Sequence, residues 1–416
     1  MRHWKTRVLL FLAVLGPGFI TANVDNDAGG ILTYSQAGAQ FGYMLLWTMV
    51  PITIALIVVQ EMCARMGAVT GKGLSDLVRE EFGLRTTFFT MFLLVIVNFG
   101  NVMTEFSGIA GSMQLFHISK YISVPVCAAL VWLLVVKGDY KNVEKIFLGA
   151  SLFYIAYIIT GVLSGPSWHT ALLATVQMPP RTVWRSSSYI YMTIGVIGTT
   201  IAPWMQFYLQ SSVVEKGITV RQYGASRLDV IIGSFFTDIV AWFIVVACAA
   251  TLFVHGLGTI QVPSDAAEAM KPLAGQYAFI LFAFGLFNAS LFAASILPLS
   301  TAYTVCEGLG LESGLDKGFR EAPFFYWFYT LLIAAGAGIV LWPHFPLVKF
   351  IILSQVLNGV LLPVVLIFML RLINKKELMG KHTNGHWFNG LAWATAIIVI
   401  ALTVVMVAMQ LTGNNS

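Results

Sequence analysis

One acidic residue, Asp27, lies within a long apolar segment and directly precedes Ala28, Gly29 and Gly30. A helix that breaks at these small residues would leave backbone carbonyl groups without donors, and a cation could enter among them. A carboxylate and free carbonyls together form a hard-oxygen cation site. The alternative is a structural kink at which Asp27 only caps a helix, and the ligand interpretation is favoured over it.

Three further acidic residues, Asp25, Glu105 and Asp238, also fall within apolar segments. A charge inside the bilayer is costly unless it is paired, protonated or facing water, so each is a functional candidate. Asp25 could support the site or line a vestibule. Glu105 could face a cavity or form a structural hydrogen bond. For Asp238, a functional role and a structural role are equally supported. Glu61 and Glu307 border basic loops, where we expect them to be solvated or paired with arginine.

The amino-acid composition indicates that these acids lie in a membrane-spanning protein. Of 416 residues, 58% are hydrophobic and 10% charged, against about 25% charged in a soluble domain. The chain is therefore expected to be one transmembrane domain in contact with the lipid bilayer, without a soluble module. Eleven apolar spans are predicted, at about 8–36, 43–64, 86–113, 121–137, 146–164, 188–213, 228–255, 276–305, 323–342, 348–371 and 388–411.

The basic residues indicate the orientation. If the N-terminus is cytoplasmic, nineteen of the 24 Lys and Arg residues fall on the cytoplasmic side of these spans, as the positive-inside rule requires. The sequence therefore predicts a multi-pass protein of the plasma (inner) membrane, and a cleaved secretory signal is disfavoured. Because the net charge of +5 is spread over short loops, no nucleic-acid partner is expected.

Cysteine and histidine offer little chemistry in this chain. The four cysteines show no CxxC spacing and are expected to be buried small hydrophobes. No histidine falls at the middle of a span, so a histidine proton relay is not expected, and His382 and His386 are interpreted as surface residues. We expect no cofactor, no enzymatic activity and no obligate protein partner.

The first and sixth spans are interrupted by similar small and polar residues, in NVDNDAGG and GTTIAP respectively. Interrupted helices at matching positions of two halves are typical of transporters, and the substrate site lies at the interruptions. Because each half has five helices, the second must be inverted. The predicted fold is an all-α polytopic membrane protein with two inverted five-helix repeats, at about 8–164 and 188–371, helices 1 and 6 broken at mid-membrane, and a peripheral helix 11 at about 388–411.

Several motifs resemble the Nramp family of divalent-metal transporters. They are GPGF, TYSQAGAQFGY, ARMGAVTGKGLSDLVREEFG, SQVLNGVLLP and MGKHTNGHW, and the likeness covers nearly the whole chain. The resemblance implies a fold similar to that of the sodium-coupled amino-acid transporters. It also implies a metal site at the two breaks.

The metal-binding positions of the family are only partly kept. The family motif Asp-Pro-Gly-Asn corresponds to Asp27 through Gly30, so the aspartate stays and the asparagine ligand becomes Gly30. In span six, the family alanine and methionine correspond to Thr199 and Ala202. A slip of three residues would instead place Met205 at the methionine position. Loss of the thioether removes the soft ligand that favours Mn²⁺ or Fe²⁺ over Mg²⁺. Loss of the asparagine amide at Gly30 leaves more room at the metal site.

The family's proton-carrying positions are changed as well. Trp204 replaces a histidine, and Val102 replaces an aspartate three residues before the retained Glu105. Gln355 matches a family position near the metal, and Asp238 replaces a family asparagine; both are secondary site candidates. Together the changes resemble the Nramp-related magnesium transporters.

The resemblance implies a transporter of Mg²⁺ and also Mn²⁺ that works by alternating access and without proton coupling. A proton-coupled Mn²⁺/Fe²⁺ symporter is the first alternative, and it requires Met205 or another residue to supply affinity. A sodium-coupled symporter of an organic solute on the same architecture is the second.

Overall fold

The computed structural model describes residues 16–138, 140–258, 260, 263–343 and 347–411, which are largely helical and contain no β-strand. Long apolar helices satisfy their own backbone hydrogen bonds, which the bilayer requires. Proline begins four of them, at Pro17, Pro203, Pro263 and Pro323, where its missing N–H costs nothing. The helices are α1 (Pro17–Asn23), α2 (Ala28–Phe41), α3 (Met49–Thr70), α4 (Leu74–Leu115), α5 (Lys120–Lys137), α6 (Tyr140–Ser151), α7 (Ile155–Leu163), α8 (Trp168–Val176), α9 (Ser187–Thr200), α10 (Pro203–Glu215), α11 (Tyr223–Cys248), α12 (Pro263–Leu309), α13 (Pro323–Leu341), α14 (Leu347–Ile373), α15 (Lys376–Met379) and α16 (His386–Leu411).

In the described part of the chain, nine helical segments are long and apolar enough to cross a membrane. One of them, Ala28–Thr70, contains α3, which crosses alone, and α2, which completes the first crossing together with α1. The sixth predicted span is divided between α9 and α10, each too short to cross alone. With these, the segments account for the eleven predicted spans, and the predicted fold class is confirmed. The repeat boundaries stay a prediction.

The third and eighth spans show the same departure from a simple helix. Each has a sharp kink at a glycine with positive φ, Gly83 in α4 (φ 81°) and Gly275 in α12 (φ 88°). A Cβ at either position would meet nothing within 4 Å, so the backbone angle rather than crowding requires glycine there. A short helical segment therefore precedes each of these kinks, and the eighth span begins at Gly275, one residue before its predicted start. α4 and α12 then pack against each other at the centre of the molecule.

The seventh span, α11, supports both halves of the broken first helix. α1 packs on its start, where a Cβ at Gly233 would lie 2.7 Å from Phe19 Cα. α2 packs on its end, where a Cβ at Gly38 would lie 2.5 Å from the Val245 carbonyl oxygen. Glycine at such contacts lets helix backbones approach closely. The break between α1 and α2 is therefore held against the middle of α11.

The last helix, α16, is peripheral as predicted, because only 22% of its apolar window is buried, the smallest share among the nine segments of the described chain. It packs on α14, α9 and α3 rather than on the central pair. All four cysteines are buried and free, which confirms their interpretation as small hydrophobes.

Candidate metal site

The first helix is interrupted at the residues that the sequence indicated. α1 ends at Asn23, one turn of 3-10 helix follows over Val24–Asn26, and Asp27 is extended, with ψ −177°. α2 begins at the next residue, and the Gly30 N–H donates to Asp27 Oδ1 over 2.7 Å. Asp27 thus caps the positive end of α2, as the structural alternative predicted. This bond uses one carboxylate oxygen and leaves Oδ2 for a ligand.

Glu105, from the third span, reaches the same helix end. Its Oε2 accepts from the Ala28 N–H over 3.1 Å, and its carboxyl group contacts that of Asp27. The other oxygen, Oε1, is buried without a hydrogen-bond partner. None of the ion pairs among the described residues involves either acid. Two adjacent carboxylates without a basic partner require a cation or protons between them.

The sixth span is interrupted directly opposite. α9 ends at Thr200, and α10 begins at Pro203. Because proline has no N–H, the Thr199 carbonyl four residues earlier lacks its normal helix donor. The Ala202 carbonyl, in contrast, accepts from the Met205 N–H (3.1 Å) and from Gln206 Nε2 (3.0 Å). Thr199 is therefore the better source of a free carbonyl at this break.

The two breaks meet at Gly30, where one expectation proves wrong. A Cβ on Gly30 would lie 3.3 Å from Thr199 Oγ1, which places the two predicted residues side by side. The same Cβ would lie only 2.2 Å from the Asp25 carbonyl oxygen. The sequence predicted that loss of a side chain here leaves more room. Instead, the backbone of the 3-10 turn fills the space, so Gly30 contributes close packing rather than an open volume.

Gln355 also lies at the break. A Cβ on Gly29 would meet Gln355 Nε2 at 2.1 Å, so the amide group packs directly beside Asp27. Gln355 Oε1 accepts from Asn358 (3.1 Å), which in turn donates to Asn101 Oδ1 (3.2 Å). Sequence analysis did not single out Asn101 or Asn358. Asn101 lies one turn before Glu105 on α4, a spacing that could have indicated a shared face.

The remaining predicted residues are buried as well. Trp204 is buried, and its carbonyl accepts from Ser300; Met205 is fully buried in α10. Asp25 faces Tyr34, and Asp238 lines a separate cavity. The described residues contain no group of three or more His, Cys, Asp or Glu side chains that could hold a metal ion. A cation at the break would therefore depend on two carboxylates, backbone oxygens and water.

Two buried acids were not predicted correctly from the sequence. Asp229 was not named as a candidate, although it lies within the predicted span 228–255; it is fully buried at the start of α11 and accepts from the N–H groups of Gly16, Gly18 and Phe19 at 2.7–3.2 Å. Glu307 was expected to be solvated or paired with arginine. It is buried, accepts from Ser211, and leaves Oε2 without a partner. The same expectation is correct for Glu61, which pairs with Arg65 at 3.0 Å.

Two interrupted helices that meet at buried carboxylates, within a bundle of eleven spans, define a polytopic membrane transporter. The chain belongs to the Nramp family: the family described as "Natural resistance-associated macrophage protein-like" matches residues 18–409. This confirms the family resemblance predicted from the sequence motifs.

Relatives and solved structures agree with this assignment. The divalent metal cation transporter MntH of Klebsiella pneumoniae subsp. pneumoniae is 26% identical over 412 residues, covering 97% of this chain and 95% of that protein. MntH of Ralstonia nicotianae is 27% identical, covering 99% and 93%. A crystal structure of the Eremococcus coleocola manganese transporter, in complex with an aromatic bis-isothiourea substituted compound, matches with a TM-score of 0.76 at 22% identity, covering 99% of this chain and 88% of that one.

The fold is also shared outside the family. The structure of MhsT in complex with L-phenylalanine matches with a TM-score of 0.58 at 15% identity, covering 94% of this chain and 97% of that one. At this identity the likeness concerns the fold alone.

Proposed function

We propose that the chain is a secondary transporter that moves divalent metal cations, chiefly Mg²⁺ and also Mn²⁺, by alternating access. The observation that carries the proposal is the pair of buried carboxylates, Asp27 and Glu105, at the N-terminus of α2 without a basic partner among the described residues. A divalent cation matches their combined formal charge. The names of the MntH relatives, all divalent metal cation transporters, support the same class of substrate.

The donor set supports a preference for hard cations. Besides the two carboxylates, the break offers the Thr199 carbonyl oxygen, whereas Gln355 turns Nε2 toward Gly29 and its Oε1 accepts from Asn358. Mg²⁺ releases water reluctantly and commonly binds through one or two carboxylates while it keeps several waters. The methionine of the family is replaced by Ala202 in the preferred alignment, which removes the soft ligand for Mn²⁺ and Fe²⁺. Mn²⁺ remains a substrate because it too accepts oxygen ligands.

The absence of proton coupling is the second part of the proposal. Trp204 and Val102 occupy the two positions that carry protons in the family, and neither side chain titrates. Glu105 remains, but it is engaged with Ala28 and lies beside Asp27. With the ion bound, we expect this carboxylate to stay with the metal rather than transfer a proton across the membrane.

Alternating access requires a path to one face at a time. A cavity of about 260 Å³ is lined by Gln36, Gln40, Tyr191 and Met192, two helical turns beyond Gly29 and Thr199 on α2 and α9. Between this cavity and the break, α2, α9 and α14 approach at Gly195, where a Cβ would meet Thr33 and Val356 at 3.6–3.8 Å. We assign this cavity to the outer face because nineteen of 24 basic residues favour a cytoplasmic N-terminus.

Proteoliposomes test the proposal directly. Purified protein is reconstituted with an internal pH dye, and Mg²⁺ and Mn²⁺ uptake are measured for wild type, Asp27→Asn and the exposed-site control Glu312→Gln. We expect both ions to enter without internal acidification, with uptake lost only in Asp27→Asn. Acidification coupled to Mn²⁺ entry would establish the proton-coupled alternative. Uptake of an organic solute that depends strictly on Na⁺, together with no metal uptake, would establish the organic-solute alternative.

A further inference from the structure

Asp25, in the 3-10 turn, and Asp238, within α11, are a second pair of buried acids, whereas Asp27 lies beside Glu105 of α4. The contact between the 3-10 turn and α11 brings them together. Asn26 Nδ2 donates to the Thr237 carbonyl (2.9 Å) and to Thr237 Oγ1 (2.6 Å), which fixes the turn at the residue before Asp238. Because Asp25 precedes Asn26 and Asp238 follows Thr237, this contact sets the two acids near each other.

Three of the four carboxylate oxygens of this pair have no hydrogen-bond partner. Asp238 is 4% exposed, and neither of its carboxylate oxygens has a hydrogen-bond partner. Nearby Thr53 donates to the Met49 carbonyl instead. Asp25 is 2% exposed and accepts one bond on Oδ2, from Tyr34, while its Oδ1 is unpartnered. Asn26 Oδ1 is likewise buried without a partner.

Nothing basic among the described residues compensates these charges, because none of the ion pairs there involves Asp25 or Asp238. Uncompensated buried carboxylates are strongly unfavourable, as are polar atoms left without partners. Four unsatisfied oxygens on three adjacent side chains are what a cation site without its ion presents.

We infer that Asp25 and Asp238, with Asn26 Oδ1, form a second divalent-cation site next to the one at Asp27. All its donors are hard oxygens, and the combined formal charge of −2 matches Mg²⁺ or Mn²⁺. The choice of a divalent ion rests on the proposed function, but the site itself is defined by different side chains. The chain would then hold two ions at once, one on each side of the broken helix.

A hydroxyl relay connects this second site to the sixth span. Tyr34 donates to Asp25 Oδ2 over 3.3 Å, and its oxygen lies 2.7 Å from Thr200 Oγ1, at the end of α9. An ion that draws Asp25 away from Tyr34 would therefore change a contact between the two broken helices. The second site is thus placed where its occupancy can be sensed by both of the interrupted spans.

Binding stoichiometry tests the inference. The purified full-length chain in zwitterionic detergent is dialysed to equilibrium against Mn²⁺, and bound metal is measured for wild type, Asp27→Asn, Asp238→Asn, Asp25→Asn and Glu312→Gln. We expect two ions per chain in wild type and Glu312→Gln, and one in each of the other three. The ion that the Asp238→Asn variant still binds shows that this variant is folded. The Asp25→Asn variant removes the same site through a different residue.

The possible results separate this inference from the proposed function. One ion in wild type, kept in Asp238→Asn and lost in Asp27→Asn, would overturn the second site and leave the first standing; the Asp25–Asp238 pair would then hold protons. Two ions in Asp27→Asn and one in Asp238→Asn would overturn the assignment of Asp27 and support the second site. Two ions in all three Asp variants would overturn both.

Discussion

Asp27 and Glu105 cap the same helix end from two different spans: Asp27 accepts from the Gly30 N–H at 2.7 Å, and Glu105 accepts from the Ala28 N–H at 3.1 Å. The two acids are far apart in sequence, and their convergence ties the broken helix to the centre of the bundle through α4. A metal ion that binds both carboxylates therefore also connects the break to α4. Binding and helix position are coupled by the same pair of side chains.

The two roles of Glu105 can be separated by substitution. Glu105→Gln keeps an acceptor for the Ala28 N–H but removes the charge, so we expect a thermal stability near that of wild type and at least a tenfold loss of Mg²⁺ and Mn²⁺ affinity. Glu105→Leu leaves that N–H buried without a partner, which costs roughly 1–3 kcal/mol of stability. Thermal unfolding and calorimetric titration measure the two effects. Unchanged metal affinity in Glu105→Gln would show that Glu105 serves structure alone.

We expect that Gly30 cannot be replaced by asparagine, the residue that the family has at this position, without a loss of stability. Because a Cβ would lie 2.2 Å from the Asp25 carbonyl oxygen, Gly30→Ala must displace the 3-10 turn, at a cost of roughly 1–3 kcal/mol. Gly30→Asn should lose stability in the same way and should not gain Mn²⁺ affinity. Unfolding temperature and Mn²⁺ titration provide the readouts. A stable Gly30→Asn variant with improved Mn²⁺ binding would contradict the close packing.

Two glycines of α9 form a matched pair for testing how the sixth span contacts Gln355. A Cβ on Gly198 would lie 2.2 Å from the Gln355 carbonyl oxygen, whereas one on Gly195 meets only side-chain methyl groups at 3.6–3.8 Å. We expect Gly198→Ala to weaken metal binding several-fold and to destabilise the protein by about 1–3 kcal/mol. Gly195→Ala should leave both properties near wild type. Equal effects of the two substitutions would show that the Gln355 contact is not specific.

The break itself could be predicted from the sequence, but its surroundings could not. Asp27 and Gly29 within an apolar span, and Pro203 within another, already indicate interrupted helices, because each residue opposes a continuous helix in lipid. The contact of Glu105 with Ala28 depends on how α4 packs, and no local pattern encodes it. The crowding at Gly30 likewise arises from the 3-10 turn, whose backbone path the sequence does not determine.

Asp229 is a buried acid that was not predicted from the sequence. It lies two residues after Arg227, at the start of the predicted span 228–255. The structure places it within α11, one turn before Gly233, on the face that meets α1. The spacing of an acid and a glycine four residues apart, before a long apolar run, was the available signal for a buried cap.

Asp229 is expected to control the position of α1. Its carboxylate accepts three backbone N–H groups of the α1 start, so Asp229→Ala should cost about 2–4 kcal/mol of stability. In a background without cysteine, a Phe19→Cys reporter should react faster with a water-soluble thiol reagent when Asp229 is replaced by Ala. Asp229→Asn, which keeps one acceptor oxygen, should give an intermediate rate. Reaction rates that do not change would show that α1 is held by other contacts.

Ala202 is expected to influence the selectivity between Mn²⁺ and Mg²⁺. This residue occupies the family methionine position in the preferred alignment, lies in the break before α10 and is 2% exposed. Ala202→Met would return a thioether beside the oxygen donors, and a soft ligand favours Mn²⁺ and Cd²⁺ over Mg²⁺. We expect the ratio of Mn²⁺ to Mg²⁺ affinity to rise at least tenfold in calorimetric titrations, with Ala202→Leu as the control of equal size without sulfur. If Met205 already supplies sulfur to the ion, Met205→Leu in the wild-type background will lower Mn²⁺ affinity, and Ala202→Met will add little.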